Sequence, residues 1–240
     1  MATKPRIYTR KEWGARHGTG FGNRSLPAKG DILHHTYTAE PTGGTKATYK
    51  ADVASVRTLE NIGQSRFGRG ISYNYIICPS GRIFEGIPVG RIGAHSAGYN
   101  TTHIGIVLVG NYSKKQPSAQ ALASLLKLRR WLKSDKKMAN VKMVGHRDTK
   151  ATACPGAAAY KLIPDINTFR RNMKSGMSGA DVKRAQERYV FHGFATWKNP
   201  RGIFGAGTRD ATKRYQKAKY GTVTSPITIG TRTYADLIRK

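Results

Sequence analysis

The run Ile104-Gly105-Ile106-Val107-Leu108-Val109 carries no charged or polar side chain. A strand of that kind belongs in the middle of a sheet, where both faces are covered by other elements. The segments around it alternate in character. Asp31-Ile32-Leu33-His34-His35-Thr36 reads as a short buried strand whose end carries two histidines. Ser72 to Cys78 and Arg82 to Glu85 are β-rich and flank Pro79-Ser80-Gly81, which predicts a hairpin. Val141 to Val144 predicts a last short strand. Helical spacing appears at Tyr49, Val53 and Val56 within residues 46–62. It appears again at Ala121, Leu125, Leu128 and Leu132 within residues 118–134, with Ser118 as N-cap. Residues 1–30, rich in Gly and Arg and carrying Trp13, read as an extended arm. The expected fold class is α/β, a mixed central sheet flanked by helices.

Composition changes near Lys174-Ser175-Gly176-Met177-Ser178-Gly179, which places a boundary between a first domain, residues 1–173, and a second, residues 178–240. In the second domain Val182, Ala185, Gln186 and Tyr189 fall at helical spacing. So do Ala211 and Tyr215 after a cap at Thr208, and Tyr234, Leu237 and Ile238 after Thr231. Three short helices predict a small three-helix bundle. Gly207-Thr208-Arg209 and Gly230-Thr231-Arg232 echo each other before the second and third helices. The echo fits a duplicated unit, and it fits a common capping signal almost as well.

Charge narrows the choice of partner. Lys and Arg number 42 against 13 Asp and Glu, a net charge of +29 spread along the whole chain. Such a field favours a polyanion: nucleic acid, an anionic membrane, or a bacterial wall with its carboxylates and phosphates. No helix-turn-helix, zinc-finger or aromatic RNA-binding pattern is present, so no specific nucleic-acid partner is expected. No apolar run of 18 residues occurs, so no transmembrane helix is expected. Met1 to Arg6 lacks the apolar stretch of a secretory signal, which predicts that another factor must deliver the chain to any substrate beyond the membrane. The two cysteines, Cys78 and Cys154, imply no disulfide framework, and Cys78 sits in an apolar strand as a core residue.

Three residues suit a zinc ion: His34 and His146, each at a strand end, and Cys154, eight residues after His146. Zinc takes imidazole nitrogen and thiolate sulfur, and catalytic sites leave a fourth position for water. A loop of eight residues can fold back to present both His146 and Cys154. Spacing alone equally accommodates two surface histidines and a buried structural thiol. His34 and His35 point to opposite faces of a strand, so one of them reaches the metal, and His34 is favoured.

The order of the neighbouring motifs resembles that of the peptidoglycan-recognition-protein and phage lysozyme-type family of N-acetylmuramoyl-L-alanine amidases. The resemblance is carried by Trp13-Gly14-Ala15, Leu33-His34-His35-Thr36, Ser72 to Ile77, and Gly81 to Gly86. It continues through Ala94-His95-Ser96-Ala97-Gly98-Tyr99-Asn100, Ile104-Gly105-Ile106 with Gly110-Asn111-Tyr112, Gly145-His146-Arg147-Asp148, and Thr152-Ala153-Cys154-Pro155-Gly156. It implies Zn2+ held by His34, His146 and Cys154, and metal-assisted amide hydrolysis. Tyr73 and Thr152 are then expected to stabilise the tetrahedral intermediate. Thr152 stands where the family carries Lys or Thr, and a hydroxyl brings no fixed charge. His35, His95 and Asn100 are candidate substrate contacts. For His95 the alternative is a solvent-exposed loop histidine. Asp148 either holds a ligand histidine's second nitrogen or caps its loop. Family members that lack the cysteine bind without hydrolysis, so Cys154 favours an enzyme.

Residues 178–240 resemble the three-helix peptidoglycan-binding domain of wall hydrolases, chiefly through Gly202-Ile203-Phe204-Gly205-Ala206-Gly207-Thr208. The chain departs from that pattern at Ser225-Pro226-Ile227-Thr228-Ile229. The two resemblances together imply a monomeric phage endolysin. It would bind bacterial peptidoglycan and anionic wall polymers, and wait in the host cytoplasm until the membrane is permeabilised. A bacterial autolysin and a non-catalytic recognition protein are the competing readings.

Overall fold

The computed structural model describes residues 2–240. The chain divides into two compact units, Met1–Ile163 and Pro164–Lys240. No helix among the described residues is long and apolar enough to cross a membrane.

The first unit is built on a six-stranded mixed sheet. Its strands are β1 (Ile7–Tyr8), β2 (Gly30–His35), β3 (Tyr75–Ile77), β4 (Ile83–Glu85), β5 (His103–Leu108) and β6 (Val144–Gly145), in the order β1-β4-β3-β5-β2-β6. The apolar run forms most of β5 and lies between β3 and β2, parallel to both. The hairpin forms between β3 and β4. The last strand is shorter than expected: only Val144 and Gly145 pair with β2, at Ile32 and Leu33, and Val141 is exposed. The expected arm is also corrected. Ile7–Tyr8 adds an edge strand beside β4, and Trp13 is buried, its indole N–H donating to the Glu85 carbonyl at 2.8 Å.

Helix α1 (Tyr49–Phe67) starts at Thr48, whose hydroxyl accepts the Ala51 amide, and packs Val56 and Leu59 against Ile76, Phe84, Val107 and Val109. Helix α2 (Ala119–Ser134) starts at Ser118 in the same way. Each cap contributes about 1 kcal/mol. Two hydroxyls anchor α2 to the hairpin turn: Ser118 donates to the Pro79 carbonyl and Ser124 to the Gly81 carbonyl, both at 2.6 Å. The buried Arg129 of α2 reaches Asp31 of β2. Asp31 and Ile32 point to opposite faces of β2. Register places Ile32 beside Gly105 and His34 beside Val107, so His34 and Gly105 share the face that α1 covers. A short helix α3 (Ala157–Tyr160) follows Cys154, and α4 (Ile163–Thr168) begins at the division between the units.

The second unit holds three further helices, α5 (Ala180–Phe191), α6 (Ala206–Tyr220) and α7 (Thr231–Leu237). It begins ten residues before the expected boundary because the segment after Pro164 is bonded into it. Asp165 pairs with Arg184, its carbonyl accepts the Tyr234 hydroxyl at 3.1 Å, the Phe169 ring packs at a tilt against Tyr234, and Met173 bridges to Ile229. Thr208 and Thr231 are not caps. The N-caps are Gly205 and Gly230, and Thr208 lies inside α6. The internal echo therefore has a different register, Gly205 with Gly230 and Thr208 with Thr233. Gln186 Nε2 donates to Thr208 Oγ1 and to the Ile203 carbonyl. Gln216 Nε2 donates to Thr233 Oγ1 and to the Thr228 carbonyl. One glutamine from the preceding helix ties down the third residue of the next helix, twice over.

Candidate metal centre

His34 leaves β2 on the face shared with Gly105, and His146 follows directly after β6. Because β6 is parallel to β2, both histidines emerge at the same end of neighbouring strands. The chain from His146 then folds back on itself. The Arg147 amide donates to the Cys154 carbonyl at 3.0 Å, and its guanidinium donates to the Ala153 carbonyl at 2.7 Å. Gly156 fixes the far end: its φ is +86°, and a Cβ there would stand 2.3 Å from the Tyr112 backbone. The result brings one donor atom each from His34, His146 and Cys154 within 4.8 Å of one another. Cys154 Sγ lies 3.7 Å from His34 Nδ1, and the His34 and His146 rings are 4.4 Å apart between centroids.

The electrostatics of the cluster suit a cation. Burial, then the neighbouring histidines, holds His34 well below the ordinary imidazole value, so it is a neutral lone-pair donor. Burial lowers His146 in the same direction, and Lys150 adds to it. Burial pushes the Cys154 thiol up to about 11, against the His35 amide, which donates to Sγ at 3.4 Å, and against the Arg147 charge. His146 Nε2 is buried and has no hydrogen-bond partner, a cost of about 1–3 kcal/mol that a ligand would remove. Two imidazoles, one of them with an orphaned nitrogen, and one thiol match the donor set of a zinc ion.

Tyr73 stands beside this group, its ring 5.1 Å from that of His34. Burial, then the Cys154 sulfur, raises the phenol, so it stays protonated and able to donate. Thr152 Oγ1 accepts the Cys154 amide at 3.2 Å, which leaves its O–H free.

The three candidate substrate contacts each hold an internal bond. His35 points to the opposite face of β2 from His34, and its Nδ1 accepts the Tyr112 amide at 3.1 Å. Asn100 Oδ1 accepts the amides of His95 and Ser96 at 2.9 and 2.8 Å. His95 is buried behind His34, with Nδ1 3.2 Å from His34 Nε2 and Nε2 3.1 Å from the His103 carbonyl. Asp148 caps the turn: one oxygen accepts the Gly145 amide at 2.8 Å and the other the Tyr160 hydroxyl at 2.6 Å. Cys78 is core, as expected.

Sequence reasoning passed over two residues. Arg24 is buried and donates to the carbonyls of Asn100 and His103 and to Asn74, bracing the loop that carries His95. Nothing in its local sequence marks it. Gly105 does carry a signal, since a glycine inside an apolar strand marks a close approach of another group. Here that group is the His95 ring, 2.5 Å from where a Cβ would sit.

Residues 24–157 match the family model described as N-acetylmuramoyl-L-alanine amidase. Peptidoglycan-recognition protein SD of Drosophila simulans is 31% identical over 170 residues, spanning 70% of this chain and 89% of that protein. An N-acetylmuramoyl-L-alanine amidase of Mus musculus is 31% identical over 166 residues, spanning 66% of this chain and 30% of the mouse protein. Among solved structures, peptidoglycan recognition protein LE in complex with tracheal cytotoxin, a monomeric diaminopimelic acid-type peptidoglycan, superposes with a TM-score of 0.60 at 26% identity, covering 65% of this chain and 91% of that one.

Proposed function

Because the chain belongs to the N-acetylmuramoyl-L-alanine amidase family, we propose that it is an active zinc-dependent hydrolase of bacterial peptidoglycan, cutting the amide between N-acetylmuramic acid and L-alanine of the stem peptide. The observation that carries this reading over a recognition-only role is the complete donor set: His34, His146 and Cys154 converge, and His146 Nε2 is buried without a partner. A zinc ion bound there supplies Lewis acidity and lowers the pKa of a water to about 7. The rest falls to the chain. The His35 amide, which donates to Cys154 Sγ, would stabilise the thiolate that binding a metal requires. Tyr73 and Thr152 keep hydroxyl protons that can be donated to the oxyanion developing on the scissile carbonyl.

We extend the proposal to the second unit as a wall anchor and to lysis of a host wall from the cytoplasmic side once the membrane is permeabilised. Support comes from the Gly202 to Thr208 run and from the net charge of +29 toward anionic wall polymers.

The test is release of new alanine amino termini from purified peptidoglycan. The wild type should release them, chelator should stop it, and zinc should restore it. Cys154→Ala should be inactive. Tyr73→Phe should lose about 10²–10³ of the rate while still taking up zinc. Wall binding without release by the zinc-loaded wild type would favour the recognition protein instead. A lysis rate indifferent to raised salt would remove the charge from the account.

A further inference from the structure

A backbone carbonyl can only accept a hydrogen bond. The His103 carbonyl, 3.1 Å from His95 Nε2, therefore requires a hydrogen on that nitrogen. His95 is buried, so a second hydrogen, which would make it a cation, is disfavoured. Its Nδ1 is left with a bare lone pair. That lone pair faces His34 Nε2 at 3.2 Å, so His34 must carry its hydrogen on Nε2. The remaining nitrogen of His34, Nδ1, is bare, and it is the one that faces Cys154 Sγ.

We propose that His95 is a positioning residue: a carbonyl-to-imidazole-to-imidazole relay, running from the His103 carbonyl through His95 to His34, sets the tautomer and ring angle of His34 so that Nδ1 is offered to the metal. The proposal rests on the reading of His34 as a metal ligand. Ligand histidines usually donate their second N–H to a carboxylate or a carbonyl. Here one imidazole is interposed, and the surroundings are built to hold it. Gly105 leaves room for the ring against β5. Asn100 Oδ1 caps the His95 and Ser96 amides. The Arg24 guanidinium fixes the origin of the relay by donating to the same His103 carbonyl at 2.8 Å and to the Asn100 carbonyl at 2.9 Å. The relay also explains why His95 has no free nitrogen for substrate.

Two substitutions separate relay from packing. His95→Leu keeps much of the volume and removes the acceptor. His95→Asn loses volume but places an amide oxygen close to the Nδ1 position. Zinc affinity of the full chain, measured by competition with a chelator of known affinity, should fall about 10–100-fold in His95→Leu and recover substantially in His95→Asn. A packing role predicts the reverse order, and that result would overturn the relay. The second readout is long-range proton–nitrogen correlation on the imidazoles of the metal-free wild type, which depends on neither substitution folding. Hydrogen on Nε2 of both His34 and His95 supports the relay, and hydrogen on His34 Nδ1 sinks it. A wild type that shows this tautomer pattern but takes up no zinc would refute the ligand reading and leave the relay standing.

Discussion

In the second unit the buried amides of Gln186 and Gln216 are fully spent. Each donates twice, to a carbonyl and to a threonine hydroxyl, and each oxygen accepts a backbone amide, from Gly202 and from Thr224. In the first unit His34 is buried and His146 and Cys154 are half-buried, yet His146 Nε2 lies out of reach of water without a partner and the three donors turn toward one another. Both arrangements bury polar groups at a cost. The glutamine pairs recover that cost within the chain, and what results is architecture. In the first unit His146 Nε2 does not recover it, and what results is a place for something else. Whether a buried polar cluster is closed or open is thus a physical criterion for separating scaffold from site.

The sharpest way to break this comparison is to delete a member of the open set. Cys154→Ala should abolish zinc uptake, measured calorimetrically on the metal-free protein. It should also leave the metal-free chain within about 1 kcal/mol of the wild type in stability to denaturant, because removing a desolvated thiol is offset by the loss of the acceptor for the His35 amide. A large loss of metal-free stability would mean that the cluster is architecture after all.

Deleting a member of the closed set should do the opposite. Gln186→Ala leaves the buried Gly202 amide without its acceptor and removes one donor each from the Ile203 carbonyl and Thr208 Oγ1, which keep their bond to each other. About 2–3 kcal/mol of protection should be lost, read by hydrogen exchange over residues 180–220 of the full chain, with zinc affinity untouched. Gln216→Ala should behave alike if the two halves of the unit are true copies. Loss confined to one of them would show that the shared geometry is only a common way of starting a helix.

Much of the first unit was legible because its signals are local. An apolar run, two histidines at a strand end, and Ser118 ahead of a helical stripe each state their role within a few residues. What stayed hidden depends on distant partners. The family pattern reads His95 as a groove residue and its own loop equally allows a solvent-exposed histidine, while the packing over Gly105 that sets it against His34 has no mark in that loop. Arg24 lies in a Gly-rich stretch, and its partners are 50 to 79 residues away. The threonine of the duplicated motif was misplaced by two residues because Gly207-Thr208 and Gly230-Thr231 match better as letters than Gly205 and Thr208 match Gly230 and Thr233 as positions. The glutamine bonds that fix the register cannot be seen in the linear pattern.

The finest test of the comparison lies at the border between open and closed groups, in the turn that carries His146. Asp148 could have been part of the site, holding a ligand imidazole, or part of the scaffold. Its two oxygens go to the Gly145 amide and the Tyr160 hydroxyl, and Tyr160 in turn lies under the Arg147 guanidinium at 4.7 Å. By the criterion above, Asp148 is closed and belongs to the scaffold. Tyr160→Phe removes one hydrogen bond from a partly exposed pair, so thermal unfolding should register a loss of about 0.5–1 kcal/mol. Zinc affinity should not move, because the carboxylate keeps its bond to Gly145 and the turn keeps its shape. A drop in zinc affinity without a larger loss of stability would mean that the Tyr160 hydroxyl tunes His146 through Asp148. The closed pair would then be acting on the open one, and the line drawn here between scaffold and site would have to be moved outward by one residue.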